Sequence, residues 1–304
     1  MEINKNFSQY SMTKLKGDGS DRSFYRLTKG SEKFILMLNS DRASNERYVS
    51  AYDKYLKIGI PIPKFIDYSL AEGFILFEDL GDMHLRNYLI NKHSLDYLKK
   101  AIDIILKLQF CDGKRVTYHH SFTYDVFTFE SNYAFSHYCT GFKNKPHLKD
   151  KYEPYIMNLN RTLAQASEYL THRDYHPDNL MLRNGKIFLI DFQDTRLGPL
   201  TYDLVSLLYD RSTLGFDEIK QLKEYFIGFL NNYHKISRDE FEYLFTINSI
   251  QRMFKILGSF ACLSKVKNNP TYLSFIPDTL KYLDYEIKQS PFSNELKYFC
   301  EDLV

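Results

Sequence analysis

The sequence predicts an α+β protein with two lobes, a small strand-rich lobe at residues 1–80 and a large helical lobe at residues 81–304. Short runs rich in aromatic and β-branched residues occupy the first part of the chain. After Gly81 the apolar residues recur at helical spacing instead. A chain of 304 residues is long enough for two lobes that each bury a core.

The small lobe is expected to contain two strands, a helix and two further strands. The first strands are SFYRLT and KFILML, which flank turn residues 29–31 in a hairpin pattern. The helix is ASNERYVSAYDKYLK, with tyrosines and Ala51 at helical spacing and Gly59 as a stop signal. The last two strands are PIPKFIDY and GFILFEDL.

The large lobe is predicted to be mostly helical. Helical spacing is found at residues 83–92, 95–110, 129–142 and 150–168, and again in nearly all of the chain after Thr201. The exception is a pair of short strands, NLML and KIFLID, joined by the turn Arg183-Asn184-Gly185.

Composition excludes several functional classes. Forty basic and 38 acidic residues leave a formal charge of +2, whereas a dedicated nucleic-acid binder usually has a strong basic excess. No apolar run reaches membrane-spanning length, and the first ten residues contain no apolar signal segment. The four cysteines are far apart and form no CxxC pair, as expected for reduced thiols. We therefore expect a cytoplasmic protein that acts on a small molecule, without nucleic acid, membrane or an indicated protein partner.

The segment HRDYHPDN, residues 172–179, contains most of the chemistry in the sequence. His172 and His176 have the spacing of two zinc ligands on a helix, but Pro177 disfavours helical geometry at His176 and no HExxH motif is present. A hydrolytic site is disfavoured because the chain has no GxSxG and no cysteine beside a singled-out histidine.

Phosphoryl transfer accounts for more of these residues. Such a site needs a carboxylate that orients the attacking hydroxyl, and a polar residue with a second carboxylate that hold Mg²⁺ against phosphate. Asp174 is the candidate catalytic residue, and Asn179 and Asp191 are the candidate metal ligands. The predicted hairpin begins at Asn179 and ends at Asp191, so it should bring these two together.

These motifs resemble a known family. HRDYHPDN and LIDF are similar to the HxDxxxxN…D signature of the aminoglycoside phosphotransferase branch of the protein-kinase-like fold. IDFQDTRLGPLTYDLVSLLYD, DGSDRSFYRL and IPIPKFIDYSLAEGFILFEDLG resemble bacterial anomeric sugar kinases of cell-wall recycling, which act on N-acetylmuramate and N-acetylglucosamine.

The resemblance implies roles for further residues. In TYDLVS, Asp203 would brace the catalytic loop by accepting backbone N–H groups, and His172 would be structural. TYDVFTFE is more loosely similar to a segment of the family. The expected substrate contacts are Asp125, Glu130, Arg173 and Asp194. Asp194 could instead bind metal or simply cap its loop, and capping is the commoner role of such an aspartate.

Nucleotide binding is expected in the small lobe, with adenine held near residues 77–80. The strand position that carries a lysine in protein kinases is Met37, so another cation must face the phosphates. Arg22, Arg26 and Lys33 are the candidates, and Glu46 occupies the place of the helix glutamate that pairs with this cation. The expected nucleotide contacts are Ser20, Arg22, Arg26, Lys33, Glu46, Glu78 and Leu80.

The resulting hypothesis is a kinase that uses ATP and Mg²⁺ to phosphorylate the anomeric hydroxyl of an amino sugar. An aminoglycoside, choline or other small-alcohol kinase of the same fold is the first alternative. A non-catalytic pseudokinase is the second, because the strand lysine and the glycine of DFG are absent; Asp174, Asn179 and Asp191 together argue against it.

Overall fold

The computed structural model describes residues 7–15, 22–92, 94–111, 114–233 and 236–304. Its strands in chain order are β1 Ser11–Lys14, β2 Ser23–Lys29, β3 Glu32–Leu38, β4 Phe65–Ser69, β5 Phe74–Glu78, β6 Phe110–Cys111, β7 Lys114–Arg115, β8 Tyr169–Thr171, β9 Leu180–Arg183, β10 Lys186–Leu189 and β11 Arg196–Gly198. Its α-helices are α1 Arg42–Lys57, α2 Leu85–Lys92, α3 Leu95–Gln109, α4 Tyr124–Ala134, α5 His147–Gln165, α6 Tyr202–Tyr209, α7 Phe216–Tyr233, α8 Arg238–Val266, α9 Ile276–Gln289 and α10 Phe299–Leu303.

The chain divides into two compact units. The first comprises residues 1–91 and 178–194, and the second comprises residues 92–177 and 195–304. The sequence analysis placed a single boundary after residue 80. The units differ from that expectation because residues 81–91 and the segment 178–194, which includes the β9–β10 hairpin, lie in the first unit.

An antiparallel sheet of five strands forms the centre of the first unit, in the order β1-β2-β3-β5-β4. The predicted hairpin is confirmed: β2 pairs with β3, and Gly30 at φ 58° provides the left-handed turn residue between them. The sequence analysis did not predict β1, which pairs with β2 at the sheet edge. Its four residues, SMTK, carry little apolar periodicity.

Helix α1 is held by its cap and by a tyrosine face. Asp41 caps the helix by accepting the Ser44 N–H at 3.1 Å. Tyr48 and Tyr55 are buried at helical spacing and pack on Phe192, with ring centroids 4.6 Å and 5.2 Å apart. This packing fixes the segment that follows β10, where Asp191 lies.

The β9–β10 hairpin is confirmed, with Asn184 and Gly185 both at positive φ as a type I′ turn requires. It is joined to the rest of the first unit by backbone hydrogen bonds. The Leu182 N–H donates to the Met83 carbonyl at 2.7 Å, and the Leu189 N–H donates to the Pro61 carbonyl at 2.9 Å. These bonds fix both ends of the hairpin within the unit.

The second unit is built around α8, a 29-residue helix. Gly258 lets α4 approach closely, because a Cβ at this position would lie 2.5 Å from the Ala134 Cα. The helix predicted at 129–142 begins earlier, since Thr123 caps it by accepting the Val126 N–H, and it continues as a π-helix at Phe135–Thr140. Within the described ranges, no helix is both long and apolar enough to cross a bilayer.

Candidate active site

A cavity of about 510 Å³ lies within the first unit. Its lining includes the apolar residues Phe24, Ile35, Phe77 and Leu80 together with several charged and amide side chains. An apolar wall with a few convergent polar groups is typical of small-molecule sites. The polar lining residues are Arg22, Arg26, Glu78, Asp79, Asp82, His84, Asn87, Asp178, Asn179 and Asp191.

Asn179 and Asp191 both line this cavity, at the two ends of the hairpin. The Ile190 N–H donates to the Asn179 carbonyl at 3.1 Å, so the backbones of the two ends meet as the sequence predicted. Asp191 has φ of 65°, a conformation that a non-glycine residue rarely adopts outside functional sites and turns. The carbonyl of the neighbouring Asp178 is 2.6 Å from His84 Nδ1, which must carry the proton because a carbonyl only accepts.

These two residues fit Mg²⁺. An arginine already lies against the Asp191 carboxylate, with Arg22 Nη2 2.9 Å from Asp191 Oδ1, so the position favours positive charge. Mg²⁺ commonly takes one or two protein oxygens and completes its shell with phosphate and water. Across the described part of the chain, no three His, Cys, Asp or Glu side chains group as a metal site. A magnesium ion here would therefore rely on the substrate for further ligands.

The predicted nucleotide residues differ in their surroundings. Glu78 and Leu80 line the cavity, and Glu78 is fixed by Arg183 Nη1 at 3.0 Å and the Lys64 N–H at 3.0 Å. Lys33 is exposed, and Glu46 is exposed and accepts from Arg42 one turn earlier at 2.8 Å. Helix α1 turns Asn45 and Tyr48 inward and Glu46 outward, which favours the reading of Glu46 as a surface charge. Ser20 lies outside the described residues, as do Gly17 and Gly19.

Arg26 lines the cavity but is bound by the segment after β5. Its Nε lies 2.6 Å from Asp79 Oδ2, and its Nη2 lies 2.8 Å from Asp82 Oδ1. Hydrogen bonds that Arg26 donates to Asp82 and to Asp79 raise the pKa of Arg26, and the bond to Asp82 lowers the pKa of Asp82. Arg26 thus braces the 79–82 segment at the edge of the cavity.

The segment predicted to be the catalytic loop belongs to the second unit, and Asp203 holds it. The N–H groups of His172 and Arg173 donate to the two Asp203 oxygens at 2.6 Å and 3.0 Å. These are the contacts that the resemblance implies. His172 and Asp203 are fully buried, and Arg173 has φ of 80°. The two bonds hold the backbone in this strained shape immediately before Asp174.

Asp174 is one-third exposed and ionised. Burial alone would raise its pKa, but the charges of Lys255, Arg173, Arg252 and His176 outweigh burial and hold the pKa well below its usual range. Arg252 Nη2 lies 3.9 Å from Asp174 Oδ1. Such a carboxylate accepts a hydrogen bond from an alcohol at neutral pH, and it orients the hydroxyl more than it removes the proton early.

Comparison with known proteins agrees with this geometry. Residues 11–238 match the phosphotransferase enzyme family, APH. This chain belongs to that family. The N-acetylmuramate/N-acetylglucosamine kinases of Pseudomonas aeruginosa and Pseudomonas putida are 25% and 27% identical to it, with 92% and 96% of this chain and 84% and 88% of theirs covered.

A solved structure of an aminoglycoside phosphotransferase, APH(2'')-Ib in its ADP-bound form, matches this phosphotransferase with a TM-score of 0.55 at 16% identity, covering 92% of this chain and 95% of that one. The similarity at this identity concerns the fold, and it confirms the predicted two-lobed, kinase-like α+β architecture. The protein is thus an enzyme that transfers phosphate, and its family supports ATP as the donor.

The predicted substrate residues of this phosphotransferase differ in burial and in their partners. Glu130 is 3% exposed and pairs with Arg173, with Arg173 Nη2 3.2 Å from Glu130 Oε1. The other Glu130 oxygen is buried without a hydrogen-bond partner among the residues that the structure describes. Asp125 is exposed in the first turn of α4, and Asp194, in the first unit, accepts from Gln193 Nε2 at 3.2 Å. Glu130 and Arg173 are therefore brought together.

Sequence reasoning missed Arg252. This arginine of α8 is 1% exposed, donates to the Arg173 carbonyl at 3.0 Å, and pairs with Asp210, with Nη2 2.5 Å from Oδ2. It also donates to Ser206 Oγ at 2.7 Å. The available signal was an arginine within the helical segment INSIQRMFKIL, where apolar residues recur on one face, because a buried arginine requires a partner.

The buried Asp203 makes stability depend on pH. Burial raises its pKa to about 7, against the opposing effects of the two N–H bonds and of Arg252. The folded protein therefore retains a proton that the unfolded chain releases near pH 4. The stability contributed by this group is complete below about pH 4 and is lost as the pH rises through about 7.

We expect the melting temperature of the wild type, measured relative to Asp203→Asn, to fall between pH 5 and pH 8. Asparagine is neutral at every pH, so the variant removes the titration while it lowers stability overall through loss of one acceptor. Thermal unfolding of both proteins in one buffer series gives the difference directly. A difference that rises with pH would mean that the N–H donors and Arg252 outweigh burial.

Proposed function

We propose that this phosphotransferase transfers the γ-phosphoryl group of ATP to the anomeric hydroxyl of an amino sugar, N-acetylmuramate or N-acetylglucosamine. The proposal rests chiefly on the ionised Asp174 in a chain that matches amino-sugar kinases over nearly its whole length. Aminoglycoside kinases share the fold at low identity, which does not favour their substrates here.

In the proposed reaction, Asp174 accepts a hydrogen bond from the sugar hydroxyl and directs its oxygen at the γ-phosphorus. The new P–O bond forms as the bond to the β,γ-bridging oxygen breaks, and ADP leaves. The hydroxyl proton passes to Asp174 and then to solvent. Because the transition state is loose, the hydroxyl can retain its proton until late, which suits a carboxylate of low pKa.

Asn179 and Asp191 are the proposed magnesium ligands, with the oxygens of the amide and the carboxylate as donors. The ion would supply positive charge against the phosphate oxygens. Apolar residues of the first-unit cavity, Phe77 and Leu80 among them, would accept the adenine ring. Asp203 and Arg252 keep the backbone on either side of Arg173 in place, so Asp174 is presented in one orientation.

The substrate is tested by measuring ADP release with Mg²⁺-ATP and N-acetylmuramate, N-acetylglucosamine, glucose, kanamycin or choline. We expect turnover with one or both acetylated amino sugars, and a phosphorus NMR spectrum of a sugar 1-phosphate. The methyl glycoside of N-acetylglucosamine is the matched control, because it lacks only the anomeric hydroxyl and must be inert. Phosphorylation of that glycoside, or turnover only with kanamycin or choline, would overturn the proposal.

A further inference from the structure

Among the residues that the structure describes, two permanent cations line the cavity of the first unit. Arg22 and Arg26 are the arginines in its lining, whereas Lys33, also considered from the sequence, is exposed and absent from the residues that line it. The strand position at Met37 is fully buried and neutral. Of these two described arginines, the better candidate for a phosphate partner is the one with fewer carboxylate contacts.

Arg26 is already neutralised. Its guanidinium lies between two carboxylates. Nε and Nη2 both donate to Asp79, and Nη2 also donates to Asp82. It also donates to the Gly81 carbonyl at 3.3 Å. A phosphate would have to replace two carboxylates of the segment that Arg26 braces.

Arg22 has the opposite character. Arg22 immediately precedes β2, and its side chain is 12% exposed. Among the described residues, its one charged contact runs from Nη2 to Asp191 Oδ1 at 2.9 Å. Its Nη1 is buried and has no hydrogen-bond partner within the described ranges. A buried guanidinium nitrogen without an acceptor is unfavourable, and a phosphate oxygen would satisfy it.

We infer that Arg22 is the phosphate-binding cation of this enzyme, and that Asp191 holds it in the absence of nucleotide. The inference rests on the proposed use of ATP and Mg²⁺. On binding, the two partners of the salt bridge separate: the planar fork of Arg22 takes phosphate oxygens, and the Asp191 carboxylate is left for the metal. One ion pair is exchanged for two charge-neutralising contacts.

This exchange predicts coupling between metal and nucleotide. Metal alone must compete with Arg22 for Asp191, and nucleotide alone must compete with Asp191 for Arg22. Each ligand removes the competitor of the other, so each should raise the affinity for the other by the same factor. Direct coordination of the metal by phosphate also couples the two ligands, so the part of the coupling that comes from the exchange is the part lost when Arg22 is replaced.

The test measures binding without acceptor, in wild type, Arg22→Gln, Arg22→Lys and Lys29→Gln. Lys29 is the matched control, since it is an exposed cation at the end of β2 whose loss removes the same charge. Calorimetry gives the affinity for ADP with Mg²⁺, and electron paramagnetic resonance gives the affinity for Mn²⁺ alone. Thermal unfolding verifies that each variant is folded.

Arg22→Gln is expected to bind ADP with Mg²⁺ roughly 10- to 100-fold more weakly and to bind Mn²⁺ alone several-fold more tightly. Arg22→Lys should fall between, and Lys29→Gln should match the wild type. Unchanged ADP affinity, or weaker Mn²⁺ binding, in Arg22→Gln would overturn the inference. Failure of the wild type itself to bind ADP would instead count against the proposed function.

Discussion

Asp174→Asn is expected to lower the turnover number by about a thousandfold while ADP affinity stays within about twofold of wild type. The amide has no negative charge and cannot take up the hydroxyl proton. The proposed nucleotide pocket should be unaffected, because its described lining residues belong to the first unit and do not include Asp174. Steady-state kinetics with N-acetylglucosamine and ADP calorimetry provide the two numbers.

Asp53→Asn is the matched control for this prediction. Asp53 is an exposed carboxylate on α1, so the same chemical change there should alter neither quantity. Near-normal turnover in Asp174→Asn would mean that another group orients the substrate hydroxyl. If ADP binding were lost while the turnover of bound ATP stayed normal, Asp174 would be a nucleotide-binding residue instead.

Local sequence patterns were sufficient to predict the hairpin that holds two of the candidate site residues. The hairpin at residues 180–189 follows from two short apolar runs around Asn184-Gly185, and it fixes where Asn179 and Asp191 meet. Asp174 lies in the same short motif. These predictions needed only neighbouring residues, because a turn type and a strand period are determined locally.

Pairings between distant segments could not be predicted in the same way. Arg22 was one of three candidate cations in the sequence, and only the fold shows that it reaches Asp191 while Arg26 is bound by Asp79. The tyrosines of α1 predicted which face of the helix is buried. They did not show that Glu46 lies on the opposite face, exposed and paired with Arg42. Burial and partner choice arise from packing, which one sequence does not specify by pattern.

Arg252→Ala is expected to destabilise the protein by about 3–5 kcal/mol, because it leaves a buried carboxylate without its partner. Asp210 is 4% exposed, and the Arg173 carbonyl and Ser206 also lose a donor. Urea unfolding followed by circular dichroism measures the change. Arg238→Ala is the matched control on the same helix. Arg238 is an exposed arginine paired with Glu224, and its loss should leave the free energy of unfolding nearly unchanged.

The double variant Arg252→Met with Asp210→Leu separates stability from catalysis. Removing both charges should restore much of the stability, since an apolar pair of similar volume often replaces a buried ion pair without loss. Turnover should remain low, because the Arg173 carbonyl is no longer held and the loop that presents Asp174 loosens. Arg252 also helps to keep the pKa of Asp174 low, so the acid limb of the pH–rate profile should move to higher pH. If the double variant recovered both stability and wild-type turnover with an unshifted profile, Arg252 would be a structural residue with no part in positioning Asp174.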